Sequence, residues 1–265
     1  MTNNNTNQHA FSGISRLYGS NTMSTLAEMH VTVIGIGGVG SWASEALIRS
    51  SVGSLCLIDL DDICITNSNR QIHTTSETIG QLKVEAMKTR LLTINPNCKI
   101  ETRLDFIDKQ NLQDLIPSET DYIIDAIDNA KVKASLVAYC KRNKINIITT
   151  GGAGGQIDPL KITVSDLNKS WQDPLSAKVR NELRRNFGFS RNPRRVYGVE
   201  CVYSTEQVRY PTNSGQTSFA KQTDLHSNKL DCSQGLGASV MVTSTFGMVT
   251  ASRVINRLLS DFKPI

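Results

Sequence analysis

One short segment constrains the fold more than any other. Val31-Thr32-Val33-Ile34 is a β-branched run that enters Gly35-Ile36-Gly37-Gly38-Val39-Gly40, and a helical pattern over Ser41–Ser50 follows, with Trp42, Ala46 and Leu47 on related faces. Leu55-Cys56-Leu57-Ile58-Asp59 is a second strand, apolar throughout, as a strand covered on both faces must be. Strand, glycine turn, helix and strand in that order make a βαβ unit. The glycines allow a tight turn and close approach of backbone N–H groups to phosphate, and the helix N-terminus adds a positive dipole end. Asp59 closes the second strand, where an acid can bind ribose hydroxyls. A tight turn without a ligand is the alternative.

The alternation continues. A helix is expected over Gly80–Ile94, stopped at Asn95-Pro96, then a strand over Lys99–Leu104. A buried strand over Tyr122–Ile127 ends in Asp128, a helix spans Lys131–Asn143, and a strand over Ile145–Thr149 runs into Gly151-Gly152-Ala153-Gly154-Gly155. Such alternation predicts an α/β fold with a doubly wound, mostly parallel sheet. After Gln156 the pattern weakens to a strand at Lys161–Val164, a basic helix and a polar loop near Ser204–Asn228, a C-terminal elaboration. With 265 residues, 39% hydrophobic and 20% charged, the chain suits one large domain, and a wholly disordered, collagen-like or coiled-coil chain is not expected. The expected division is a disordered Asn/Thr-rich tail over 1–12 and a single domain over 13–265, with its nucleotide-binding core at about 16–155 and the elaboration at about 156–265.

The six cysteines form no CxxC pair, so a structural zinc ribbon is not expected. Cys56, Cys64 and Cys140 sit in apolar patterns and read as core. The N-terminus MTNNNTNQHA lacks the marks of a signal peptide, so a cytoplasmic location with free thiols is expected. The net charge is +5, yet Lys178, Arg180, Arg184, Arg185, Arg191, Arg194 and Arg195, against Glu182 alone, give the 176–195 segment +6. A block so localised suggests a polyanionic partner, with a solvated helix face as the alternative. Residues 232–252 carry no charge, but Gly235, Gly237, Gly247 and many Ser/Thr make them a buried helix rather than a membrane span.

Beyond the glycine turn, Asn67 and Arg70 lie one helical turn apart and could reach a triphosphate, Arg70 through a bidentate fork. Lys83 opens the next helix as a compact charge suited to phosphate. Asp128-Asn129 ends a buried strand at the sheet's carboxyl edge, and Asp128 could hold Mg²⁺ largely through water. Each residue also has a bland reading: a surface ion pair for Arg70, a solvated helix residue for Lys83, an N-cap for Asp128. Together they describe a nucleoside triphosphate with its metal better than a dinucleotide. His73 reads as structural, with a phosphate-side donor as the alternative. Trp42 and Trp171 call for no functional explanation.

The ordered motifs GxGGxGS, DxDxxxxxNxxRQ, GxxK and DxxDN resemble the ubiquitin-activating-like adenylyltransferases, the superfamily of MoeB, ThiF and HesA, over about Arg16–Gly155. The resemblance implies a Rossmann-like, usually homodimeric fold that uses ATP and Mg²⁺ to turn a carboxylate into an acyl-adenylate. It implies that Gly35, Gly37, Gly38 and Gly40 meet the nucleotide and Asp59 the ribose. Asn67, Arg70 and Lys83 would face the phosphates, Asp128 the Mg²⁺, and Asn129 would lie beside the adenosine. Arg16, in Ser15-Arg16-Leu17-Tyr18-Gly19, resembles the arginine that reaches the triphosphate from the partner subunit, at a shorter spacing to the glycine turn.

Within the superfamily, RLYG, VIGIGGVGSW, TNxNRQIH, IIDAID, AYCKRNKI, TTGGAGGQIDP, QDPLSAK and LDCSQGLGAS resemble the TcdA (CsdL) branch, the tRNA threonylcarbamoyladenosine dehydratases, from Arg16 almost to Arg253. That branch implies ATP-dependent cyclisation of the threonylcarbamoyl group on the adenosine next to the anticodon, with the basic segment meeting tRNA phosphates. It also implies a link to a cysteine desulfurase system (CsdA and CsdE). A monovalent cation, K⁺ or Na⁺, stays open. Cys232 is the candidate for a thioester-forming cysteine, against a plain buried thiol. Three rivals are weighed. An activator of a sulfur-carrier or ubiquitin-like protein would usually carry the paired CxxC zinc site. An NAD oxidoreductase has no account of Asn67, Arg70 and Lys83. A non-enzymatic ATP/RNA-binding module would not need every ATP-side residue.

Overall fold

The computed structural model describes residues 9–108, 110–212, 214–220 and 236–259. Helices α1 (Ser12–Tyr18) and α2 (Thr22–Glu28) precede the first βαβ unit, formed by β1 (His30–Ile34), α3 (Gly40–Arg49) and β2 (Ser54–Ile58). Next come α4 (Lys83–Ile94), β3 (Lys99–Arg103), α5 (Leu112–Leu115), β4 (Tyr122–Asp125), α6 (Ala130–Asn143) and β5 (Asn146–Thr150). The elaboration comprises β6 (Ile162–Asp166), α7 (Pro174–Asn186), β7 (Glu200–Ser204), a small hairpin of β8 (Tyr210–Pro211) and β9 (Thr217–Ser218), and α8 (Val240–Leu258).

Among the described residues seven strands form one sheet in the order β3-β2-β1-β4-β5-β7-β6. Every neighbouring pair is parallel except β6–β7, so the fold is the Rossmann-like, mostly parallel sheet that the alternation predicts. Strand order runs outward both ways from the β1–β4 pair, which makes the gap between their carboxyl ends the topological switch point. The apolar runs serve two cores. Val31, Val33, Leu55, Leu57, Ile124, Ile148 and Val202 pack with α3, α4 and α8. Ile34, Cys56, Ile58, Ile123, Ile147, Cys201 and Tyr203 pack with α5, α6 and α7.

The expected buried helix within 232–252 is α8, in the part the structure describes. Gly247 lets it cross α3 closely, since a Cβ there would lie 2.7 Å from Val39 O and 2.8 Å from Ala43 N. Among the described residues no helix is long and apolar enough to cross a membrane. Strand β7, inserted between β5 and β6, is absent from the sequence expectation: its apolar centre is only Cys201-Val202-Tyr203. The strand expected over Tyr122–Ile127 ends at Asp125, where Ala126 turns to pair with Ile34 O. Phe11, placed in the expected tail, is buried, and Ser12 starts α1; residues 1–8 lie outside the described chain.

Candidate active site

The glycine turn leaves β1 tied to both neighbouring strands, with Gly35 N donating to Ile58 O and Ala126 N to Ile34 O. Gly35 adopts φ +88°, and a Cβ there would lie 2.9 Å from Ala126 O. A Cβ on Gly40 would lie 1.8 Å from Gly35 O, so the turn closes on itself before α3 begins. Gly38 faces Arg70 Cγ and the Thr243 side chain, and Gly37 faces Gln71 Nε2. Two buried oxygens around this turn, Ser41 Oγ and Gln71 Oε1, have no hydrogen-bond partner among the described residues. Such atoms are costly unless a ligand or water meets them, which fits a polar ligand on the turn.

Asp59 latches the turn from β2. Its Oδ2 accepts from Ile36 N (2.6 Å) and its Oδ1 from Asp61 N (2.9 Å). Burial pushes its carboxyl pKa up, against the opposing pull of the Lys83 charge and the two amides. Lys83 is buried rather than solvated. Its Nζ meets Asp61 Oδ2 at 2.6 Å, and its own N–H donates to Asp61 O, fixing the start of α4 beside the end of β2.

The loop between them carries Asn67 and Arg70. Asn67 is buried and closes its own 3-10 turn, with Oδ1 accepting from Cys64 N at 3.0 Å. The Arg70 carbonyl accepts from Trp42 Nε1 (3.0 Å) and from Thr243 Oγ1 (3.5 Å), so α3 and α8 clamp it against the turn. Among the described residues its guanidinium reaches only Thr66 O and Asn69 Oδ1, both 2.9 Å away, and forms no ion pair. His73 Nε2 donates to Ile36 O (2.9 Å), and burial lowers its pKa to about 4, so it is a neutral strut under the turn. Cys64 is half-exposed, not core: it accepts from Thr66 Oγ1, a bond that holds the thiol pKa below its usual value.

Sequence reasoning missed the ion pair at the exit of β4. Asp125 and Lys133 are fully buried, with Lys133 Nζ 3.0 Å from Asp125 Oδ1 and also donating to Asp125 O. Thr149 Oγ1 and Ile127 N donate to the same carboxylate. The available signal was an acid inside an apolar strand run, which must find a partner when buried. This network fixes the loop that presents Asp128. Asn129, not Asp128, caps α6, its Oδ1 accepting from Lys131 N and Val132 N. The Asp128 carboxylate is exposed and makes no hydrogen bond or ion pair among the described residues. An exposed carboxylate at the carboxyl edge of such a sheet has the chemistry to hold Mg²⁺, which takes few protein ligands and keeps several waters.

Arg16 is exposed on α1 and bonded to Ser12 Oγ of its own helix; no hydrogen bond or ion pair joins it to the glycine turn. Cys232 lies outside the described residues. The basic segment divides in two. Arg180 bonds Ser170 Oγ, and Arg184 bonds Tyr197 Oη and Asn168 Oδ1, so both brace the fold. Burial and the Arg184 charge lower the Arg180 pKa. Lys178, Arg185, Arg191, Arg194 and Arg195 are exposed. Asn168 Nδ2 holds Asn192 O and Arg195 O, and Lys169 Nζ holds Pro193 O, so the arginine loop is anchored by its backbone while its side chains stay out.

The ThiF family model matches residues 12–261. The tRNA threonylcarbamoyladenosine dehydratase of Haemophilus influenzae is 50% identical over 95% of this chain and 94% of its own length. The Escherichia coli protein of that name is 46% identical over 94% of this chain and 93% of its own. The crystal structure of E. coli TcdA in complex with ATP superposes with a TM-score of 0.85 at 44% identity, covering 96% of this chain and 95% of that one. A glycine turn at the switch point, latched by an acid from β2 and flanked by a buried lysine, thus coincides with full-length similarity: this chain belongs to the ThiF family.

Proposed function

We infer that this chain is an ATP-dependent tRNA threonylcarbamoyladenosine dehydratase. The observation that carries the reading is the convergence of glycine turn, Asp59, Lys83, Arg70 and the unpaired Asp128 on the carboxyl edge around the switch point, in a chain so similar to proteins of that name. The substrate carboxylate is a poor electrophile because its leaving group would be oxide. Its oxygen attacks the α-phosphorus of ATP, and pyrophosphate leaves. The neighbouring carbamoyl group of the same substrate then attacks the carbonyl carbon and releases AMP, which carries away the oxygen of the lost water. Both groups belong to one molecule, so effective concentration replaces a protein nucleophile, and Cys232 is not required.

The glycine turn and α3 hold the phosphates, and Asp59 stands at the ribose position. Arg70 leaves Thr66 and Asn69, and Lys83 shares its charge between Asp61 and phosphate, to offset charge developing on the nucleotide. Asp128 would hold Mg²⁺, which when bound supplies charge neutralisation at the phosphates. Asn129 is committed to capping α6, so its part is to set the loop. The reading includes a homodimer, in which the exposed Arg16 of the partner subunit completes the triphosphate site, and a cytoplasmic location. The five exposed basic residues meet tRNA phosphates. Mass spectrometry of nucleosides tests this, using tRNA that bears uncyclised threonylcarbamoyladenosine, incubated with protein and Mg²⁺. Loss of one water only when ATP is present is expected. No mass change while ATP still binds would transfer the reading to an activator of a carrier-protein tail.

A further inference from the structure

Helix α7 connects the carboxyl edge to the arginine loop. Asp173 caps its start through Ser176 N and also accepts from Gly152 N, at 2.8 Å, just beyond β5. The helix therefore begins one strand from β4 and Asp128. Its 13 residues run about 20 Å away from that edge and end at Arg184 and Arg185. The segment before it returns along its flank. Asn168 meets Arg184 near the helix end, Ser170 meets Arg180 halfway, and Trp171 follows just below the cap. Trp171 is 55% exposed. Gln172 beside it adopts φ +61°, a conformation that costs a non-glycine residue and persists only when its surroundings impose it. Bonds at Ser170 and Asp173 impose it here, so a rigid turn holds a large aromatic ring in solvent at the upper end of a basic ramp.

We propose that Trp171 is a stacking platform for an unpaired base of the RNA substrate, while Lys178, Arg185 and the 191–195 loop follow the phosphates of the adjoining stem. This rests on the function inferred above. A base that presents its substituent to the carboxyl edge must leave its stack, which exposes its loop neighbours. Unpaired bases are held by stacking on aromatic faces, and basic side chains alone track only the backbone.

The test is binding of an anticodon stem-loop RNA, and of a blunt duplex of the same stem, to the wild-type chain, W171A and W171F, followed by anisotropy and tryptophan fluorescence. W171A is expected to weaken stem-loop binding about tenfold, with W171F within about twofold of wild type. Duplex binding and the slope of affinity against salt stay unchanged, because stacking releases no counterion. Stem-loop RNA quenches wild-type fluorescence, and the quench is lost in W171F. Equal losses on stem-loop and duplex, a changed salt slope, or full affinity in W171A without any quench would overturn the proposal. The function itself is read from wild type alone: if it dehydrates tRNA and W171A behaves identically, only the platform fails.

Discussion

At the carboxyl edge the backbone does the arranging, whereas on the flank of α7 side chains do it. The glycine turn is shaped by contacts such as Gly40 on Gly35 O, latched by Asp59 through main-chain amides and propped by His73 on Ile36 O. The flank uses Asn168 and Lys169 to hold a loop by its carbonyls, with Arg180 and Arg184 as braces. The first arrangement has few degrees of freedom and is intolerant of change. The second presents exposed charges on an anchored backbone, each replaceable at small cost to the fold. Buried polar groups at the first region should therefore affect folding and chemistry, and exposed cations at the second should affect only binding.

The largest effect is expected at the ion pair beneath the Asp128 loop. Lys133→Met leaves Asp125 buried and uncompensated, at a cost of about 3–5 kcal/mol; denaturant unfolding would measure it, and a loss below 1 kcal/mol would remove the pair from the scaffold of the site. Asp128→Ala comes next: dehydration should fall by about 10²–10³-fold while melting temperature and tRNA affinity hold, because the carboxylate makes no hydrogen bond or ion pair among the described residues. Retained activity would refute the metal assignment.

A pH dependence follows from His73. Its folded pKa of about 4 lies below the unfolded value of 6.5, so between these the unfolded chain binds a proton that the folded chain refuses. The stabilisation is complete above pH 6.5 and is lost as pH falls towards 4, by on the order of 3 kcal/mol. Equilibrium unfolding of His73→Gln should lack that part of the slope. The smallest effect belongs to the flank. Joint replacement of Arg185, Arg191, Arg194 and Arg195 by Ala should reduce the salt slope of tRNA binding by about one per lost phosphate contact and leave stability within about 0.5 kcal/mol. An unchanged slope would return these arginines to a solvated face. Arg184→Ala should instead destabilise the fold, since it braces Asn168 and Tyr197, and this contrast within one helix sharpens the division.

Legibility follows the same division. Periodicity in the amino-acid sequence determined the parallel sheet, the glycine turn, the acid after β2 and the helix bearing Lys83, because each is a local pattern read over a few residues. Spacing put Asp128 just after a buried strand, where the structure has it in the loop beyond β4, but the cap of α6 is its neighbour Asn129. Composition located the basic block but did not sort it, and Arg180 and Arg184 differ from Arg185 only in what the fold brings opposite them. Strand β7 escaped because three apolar residues suffice when the sheet supplies neighbours on both sides. The Asp125–Lys133 pair, the exposure of Cys64 and the outward turn of Trp171 depend on contacts between segments far apart in the chain. Hydrophobic period is written along the chain, whereas the partners of a buried charge, and the solvent left around an exposed ring, exist only once distant elements have packed together.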